Sequence, residues 1–508
     1  MAQELRSINL VAPAFKGINT EDSPLAQDPS FAEIADNAVI DKRGRIAARK
    51  GHDVITTNKT ALGTESIRAI REFRDEAGNN KIFSVGNNKI LSGTTTLVDE
   101  TPGGYTITAD NWKMVDFNNN VYFFQRGYQP LVYSNSSGAV QTLSSISGAA
   151  GVTSAIYGNE VLAAYGRLWT ADFSGNKSTV YWSDLLIGHD WSGGTSGSID
   201  ISKVWPDGYD EIVALAAHNG LLIIFGQHSI VVYQGAQAPA TMALEDTVAG
   251  IGCVDRDTVQ YTGTDVIFLS HTGLRSFGRT IQEKSLPITD LSRNIKQELI
   301  ANTLATTKPV STVYSPENYF YLLCFADLNL VYCFDIRATL ENGAYRVTRW
   351  PSVDFKSFQR DRNGDIYIGC VDGLGKYDNY RDNGKSYRFR YFSPGLTFGD
   401  PAKIKMLKKI RPTLLGGNNS DIFLKWSYDF STDTSSSTFR TSSDIPGFYG
   451  QSEYTDADFS AEGITISRNS LNTTGYGSVI NVGLETDING FALSIQEMNV
   501  LALLGKTI

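Results

Sequence analysis

Histidine is the side chain whose ordinary pKa suits it to move protons near neutrality. The chain carries five, at His52, His189, His218, His228 and His271. None stands in HExxH or another metal-ligand spacing, and no GxSxG elbow, P-loop or helix-opening GxGxxG occurs. Dispersed like this in a β-rich chain, they read as structural residues. Asp361-Arg362-Asn363-Gly364-Asp365 has the look of a calcium loop, but it lacks the distal Glu and runs straight into Ile366-Tyr367-Ile368, so a hairpin turn is the better reading. Ser183-Asp184 followed by Trp191 is the nearest approach to the Asp-box of propeller glycosidases; its spacing is wrong and it occurs once. No catalytic set, cofactor site or metal site is expected, and the chain reads as a non-enzyme.

The elements that would position any site announce themselves by repetition. A turn rich in Gly, Asn or Asp is followed by an apolar strand phrase, about seven times between residues 66 and 380. Taking Phe83, Tyr122, Leu168, Ile223, Ile267, Tyr321 and Tyr367 as anchors, the gaps are 39, 46, 55, 44, 54 and 46 residues. Several short strands per repeat at this spacing predict a β-propeller of about seven four-stranded blades. A strand near Val39 or Val54 is a candidate to close the ring, which leaves the blade count open by one.

Composition agrees with an all-β fold. Of 508 residues, 41% are hydrophobic and 19% charged, with 47 Gly and 49 Tyr plus Phe. That length predicts more than one domain. The formal charge of −9 argues against a protein that grips nucleic acid, because phosphate binding is driven by a basic excess. Cys253, Cys324, Cys333 and Cys370 are too few for a disulfide framework and read as buried thiols of a protein made in a reducing cytoplasm. A hairpin turning about Leu328-Asn329 would place Cys324 opposite Cys333. Neither a signal-peptide core nor a run long enough to span a membrane is found in this sequence.

Three regions are expected: an N-terminal arm and hairpin over 1–58, the propeller over 59–380, and a C-terminal β-sandwich, or platform, over 381–508. In the arm, Phe31–Ala35 reads as one helical turn capped by Ser30, and Asn37–Ile46 as two strands about a Gly turn. Within the propeller, Asp290 is placed to cap a helix through Leu291, Ile295, Leu299 and Leu304. Gly193–Ser198 reads as a mobile loop, and the Ser/Thr/Asp-rich Ser431–Ser443 as a loop. The strand Ala402–Arg411 is rich in lysine, either because it is a protected sheet edge or because it meets an acidic neighbour. Arg49, Lys50, Lys403, Lys405, Lys408, Lys409 and Arg411 are the candidate subunit or adaptor interface.

Several phrases, in their order along the chain, resemble the nozzle proteins (tail tubular protein B) of short-tailed phages. They are Gly17–Leu25 with Ala35–Ile40 and Arg49-Lys50-Gly51, then Tyr181–Asp184 with Asp190-Trp191, then Phe268–Phe277, and finally Phe392–Pro401 and Asp487–Phe491. The resemblance implies a structural virion protein without a cofactor, made in the host cytoplasm. It implies a homohexameric ring below the adaptor ring, a lower tail tube that conducts and gates the genome without binding DNA specifically, and docking of fibres or spikes. Such proteins can be considerably longer, with additional inserted nozzle and fibre-docking regions. The alternative is a carbohydrate-binding or carbohydrate-active propeller, with Trp112, Trp182 and Trp205 as stacking candidates.

Overall fold

The computed structural model describes residues 4–11, 14–282, 290–442 and 465–507. Each sequence anchor falls on the second strand of a sheet, and seven such sheets follow one another along the chain. The first three blades are Ala69–Arg74 to Val98–Asp99, Lys113–Phe117 to Ala139–Thr142, and Glu160–Ala164 to Gly197–Asp200. The fourth runs from Ile212–His218 to Ala243–Val248, and the fifth sector comprises Gln260–Tyr261, Val266–Ser270 and Gly273–Ser276. The sixth runs from Val310–Ser315 to Arg346–Pro351, and the seventh from Ser357–Arg360 to Gly373–Asp378. Among the described residues six of these are four-stranded blades and the fifth is three-stranded, which corrects the expected count of complete blades from about seven to six. The seventh blade is completed by Gly51–Val54, which pairs with Gly373–Asp378 and closes the ring.

The second strands are continuous apolar runs because both of their faces are covered by neighbouring blades. Leu222, Ile223, Ile224 and Phe225 are all buried, packed alternately against the third and fifth sectors. Two-residue turns set the hairpin register. Asn118-Asn119 and Asn219-Gly220 have positive φ at both positions, the geometry that matches strand twist and that Asn and Gly adopt at least cost.

The sandwich is built from both ends of the chain. One sheet centres on Lys403–Gly416 paired with Leu493–Thr507; the other side of Lys403–Gly416 is lined by Ile466–Arg468, Leu471–Asn472 and Tyr476–Gly477. Along the free side of Leu493–Thr507 lie Glu4–Leu10 and the hairpin Ala38–Ile40/Ile46–Ala48. The lysine-rich strand is therefore interior to its sheet, and the edge reading is corrected: its partners come from sequence far downstream. The second sheet runs Ser435–Arg440, Asp421–Tyr428, Ile480–Ile488, Tyr387–Phe392, Ile34–Asp36 and then into Arg346–Pro351, the outer strand of the sixth blade. Propeller and sandwich thus share one nine-stranded sheet, with a core that joins Phe15, Ile46, Tyr391, Leu414 and Val500 to Tyr321 and Phe334 of the blade.

Local readings are corrected where tertiary pairing wins. Ile34–Asp36 is strand, not helix, because Ala32 N–H donates to Gly17 O and Glu33 N–H to Phe392 O. Ser435–Arg440, expected as loop, is strand against Asp421–Tyr428, while Ser443 lies outside the described residues. The helix near 290 is Lys296–Ala305; Asp290 instead accepts from Ser292, and Leu304 is exposed while Leu291, Ile295 and Leu299 are buried. Gly193–Ser198 is tied down by Asp190 and Asp184, and its last two residues begin a strand. Cys324 stands opposite Val331 and Cys333 opposite Leu322, a register displaced by the four-residue turn Ala326–Asn329.

Candidate functional site

The candidate interface residues separate into two environments. Arg49 is 1% exposed and lies inside the chain. Its guanidinium donates to both carboxylate oxygens of Asp382 at 2.8 and 2.6 Å and to Asn37 Oδ1 at 2.9 Å, and its plane lies 4.2 Å from the Tyr387 ring centroid. Burial alone raises the Asp382 carboxyl, but the Arg49 hydrogen bonds and charge, with His52, bring it down to about 2. Arg49 is a rivet between the ring-closing segment and the sandwich, not a surface contact, because Asn37, Asp382 and Tyr387 enclose it. Half-buried Lys50 lies 3.6 Å from Asp378. Lys405 also points inward: it is fully buried and donates to the carbonyls of Asp400 and, at 2.6 Å, Ser478.

Lys403, Lys408, Lys409 and Arg411 remain at the surface of the same strand. Lys403 pairs with Asp400 at 3.1 Å, whereas Lys408, Lys409 and Arg411 have no ion pair among the described residues. Residues inward from this strand (Leu407, Ile410, Leu414) and from its partner (Met498, Val500, Ala502) fill the core. The opposite face is ordered in rows by the strand register, with Lys408 and Arg411 exposed on it. One row is apolar across four adjacent strands: Leu5, Leu503, Met406 and Tyr476. Leu5 is 57% and Tyr476 69% exposed. The next row is Ser7, Leu501, Lys409 and Asn472, followed by Asn9, Asn499 and Arg411. Arg468, exposed opposite Thr413, adds a further cation without an ion pair among the described residues, and Ile466 a further exposed apolar side chain. The sequence had singled out the cations; the apolar row was not legible, since its four residues lie as far apart as positions 5 and 503.

The second feature is the centre of the propeller, where the inner strands enclose a cavity of 620 Å³ and an adjoining one of 230 Å³. Asn111 and Pro309 line both; Lys113 and Asp257 line the larger cavity and Asp255 and Arg256 the smaller, with Glu160 close to Lys113. Lys113 Nζ donates to Asp257 Oδ1 at 3.0 Å and stands 4.0 Å from Glu160 Oε2; Arg256 donates to Asn159 Oδ1 at 2.8 Å. Burial drives the Glu160 carboxyl up to about 7 against the pull of Lys113 and Arg256, and its Oε2 has no hydrogen-bond partner. Burial likewise raises Asp255, while Lys113 and Arg256 hold Asp257 below the ordinary carboxylate range despite burial. Lys113 and Arg256 thus pair with Asp257 within the cluster, and the buried Cys253 thiol beside it donates to the Asp255 carbonyl at 3.2 Å. Among the described residues no three His, Cys, Asp or Glu side chains are grouped to hold a metal ion, and no helix is long and apolar enough to cross a membrane. Trp112, Trp182 and Trp205 are buried in blade cores rather than presented on loops.

No protein-family profile and no curated protein matches the chain. Solved structures similar to it are propeller proteins and resemble it only distantly. The extracellular domain of the putative one-component system BT4673 from B. thetaiotaomicron is 12% identical, with a TM-score of 0.40, over 66% of this chain and 40% of that one. PorZ, a surface component of the type-IX secretion system of Porphyromonas gingivalis, is 12% identical with a TM-score of 0.35, over 76% and 47%. The WD40 propeller domain of Doa1 is 12% identical with a TM-score of 0.27, over 64% and 96%. The chain spans less than half the length of the first two.

Proposed function

We propose that the chain is a structural subunit of the tail nozzle of a short-tailed phage, assembled as a ring, likened to a hexamer by its sequence resemblance, beneath an adaptor. The observation that carries this reading is the outer sheet face: an apolar row across four strands, flanked by cations without an ion pair among the described residues, is a surface suited to being covered by protein. The welded construction supports it. A propeller and a sandwich that share a sheet and are riveted by Arg49–Asp382 transmit load as one body, which a conduit under internal pressure requires. The conduit itself must lie between subunits. The central cavity of 620 Å³ has the volume of a cube about 8.5 Å on edge, and the major groove of B-DNA alone is about 12 Å wide. In this reading loops facing the common lumen gate the genome, and the acidic excess of the chain keeps DNA from adhering.

Gold-tagged antibody raised against the native chain tests this on phage particles. Label at the tail tip, distal to the portal vertex, is the expected result. Clean, unlabelled particles would remove the virion reading.

A further inference from the structure

The charge of this chain is unevenly distributed. Residues 381–508 hold 13 basic and 13 acidic side chains, so the whole excess of −9 belongs to residues 1–380. Residues 151–250, which form the third and fourth blades, hold 3 basic and 10 acidic side chains and account for −7 of it. Within that sector the rim of the fourth blade combines two properties found on the sandwich face with opposite sign. Tyr209, 71% exposed, and Leu244, 48% exposed, are large apolar side chains open to solvent. Their sequence neighbours Asp207 and Glu245 are exposed and without an ion pair among the described residues; Asp207 accepts the Gly250 N–H, at 3.2 Å, which fixes its loop to one end of the outer strand Ala243–Val248, while Leu244 and Glu245 stand at the other. That strand ends its sheet. Near the exposed Val98, by contrast, Asp99 and Glu100 are paired with Lys89 and Lys81, and beside Leu185-Leu186-Ile187 the Asp184 carboxylate accepts from Thr195.

We propose that the outer face of the sandwich sheet, through Lys408, Lys409, Arg411 and the Leu5–Leu503–Met406–Tyr476 row, docks onto the rim of the fourth blade of a second copy, through Asp207, Glu245, Tyr209 and Leu244. The inference rests on the ring reading and names the contact that closes it. Because the two surfaces differ, the contact is heterologous: each copy offers its cationic face to one neighbour and its acidic rim to the other, so repetition by rotation produces a ring or a helical filament. Complementary charge sets the register, and the apolar row supplies area that excludes water.

The test is charge reversal and its rescue, read by sedimentation of the full chain across concentration and salt. Wild type is expected to associate, with an association midpoint moved at least tenfold higher in concentration by raising salt from 50 to 500 mM. Lys408→Glu with Lys409→Glu is expected to abolish association while leaving the circular dichroism spectrum unchanged. Adding Asp207→Lys and Glu245→Lys to that variant is expected to restore it. Failure of the rescue overturns the assignment to the fourth blade, and association undiminished by the first pair of substitutions overturns the cationic face. A fold-disrupting effect is separated by a second variant, Lys408→Gln with Lys409→Gln, whose weakening must be smaller than that of the Glu pair. Wild type that remains monomeric throughout also overturns the contact; tail-tip label on virions would leave the nozzle reading standing in that case, and its absence would remove both.

Discussion

Glu160 offers the sharpest test of the propeller interior. Its carboxyl is buried beside Lys113 and Arg256 and is pushed from the ordinary 4.5 up to about 7 by burial. The folded state therefore holds this proton more tightly than the unfolded state does. Below pH 4.5 both states are protonated and nothing is lost; as pH rises toward and past 7, the folded protein bears the cost of either keeping the proton or burying the charge. At about 1.36 kcal/mol per pH unit, the full penalty is about 3.4 kcal/mol, of which about 2.5 kcal/mol develops between pH 5 and pH 8. Glu160→Gln cannot ionise and removes that component. With an unfolding entropy of about 2.1 cal/mol/K per residue, 2.5 kcal/mol corresponds to about 2 °C in melting temperature for a chain of this length. Differential scanning calorimetry of wild type and Glu160→Gln at pH 5, 6, 7 and 8 measures it. The variant is expected to gain about 2 °C on wild type in going from pH 5 to pH 8, with Asp255 contributing equally to both. Parallel curves, or a variant that falls behind at pH 8, would falsify the assignment of a raised carboxyl at this position.

Three further outcomes follow from the same structure. Arg49→Ala leaves the Asp382 carboxylate inside the junction without its bidentate partner and is expected to cost about 3–5 kcal/mol in urea unfolding; a loss under about 1 kcal/mol would mean that the rivet carries no load. Ile55→Pro deletes the N–H that donates to Leu374 O at 2.8 Å beside the ring-closing strand, with an expected cost of about 1–3 kcal/mol and faster proteolysis near residues 55–60; unchanged cleavage would show that closure does not depend on this bond. All four cysteines are buried, and burial pushes the thiols of Cys253 and Cys324 up to about 12. Ellman's reagent is expected to find no rapidly reacting thiol in the native protein and four after unfolding, and a fast native thiol would contradict the packing.

What could be read in advance was what local sequence encodes. A second strand enclosed by two blades must be apolar on both faces, so runs such as Leu221–Phe225 marked every sector. The turns between strands needed Asn or Gly at positive φ, and these punctuated the repeat. Relations between distant segments were not legible. Arg49 reads as surface charge until Asp382, 333 residues away, is seen to meet it. The alternation of Ala402–Arg411 looks like an edge because one of its faces is wet; the strands that flank it begin beyond residue 465. Phe31–Ala35 carries a helical signature that loses to pairing with Tyr387–Phe392, a partner no local window contains. The Cys324/Cys333 register failed by two residues because the turn is longer than the sequence at Leu328-Asn329 suggested.

The pairing of Glu4–Leu10 with Met498–Leu504 also sets a clock on synthesis. At about 5–20 residues per second, the ribosome needs on the order of 25–100 s to traverse the interval between those two segments. Throughout that time the first strand and its exposed Leu5 have no partner, whereas blades one to four, made of neighbouring hairpins, can fold as they emerge. Completion of the sandwich consequently waits for the strand Leu493–Thr507, and the sheet face that it creates does not exist on a nascent chain that has not yet reached it.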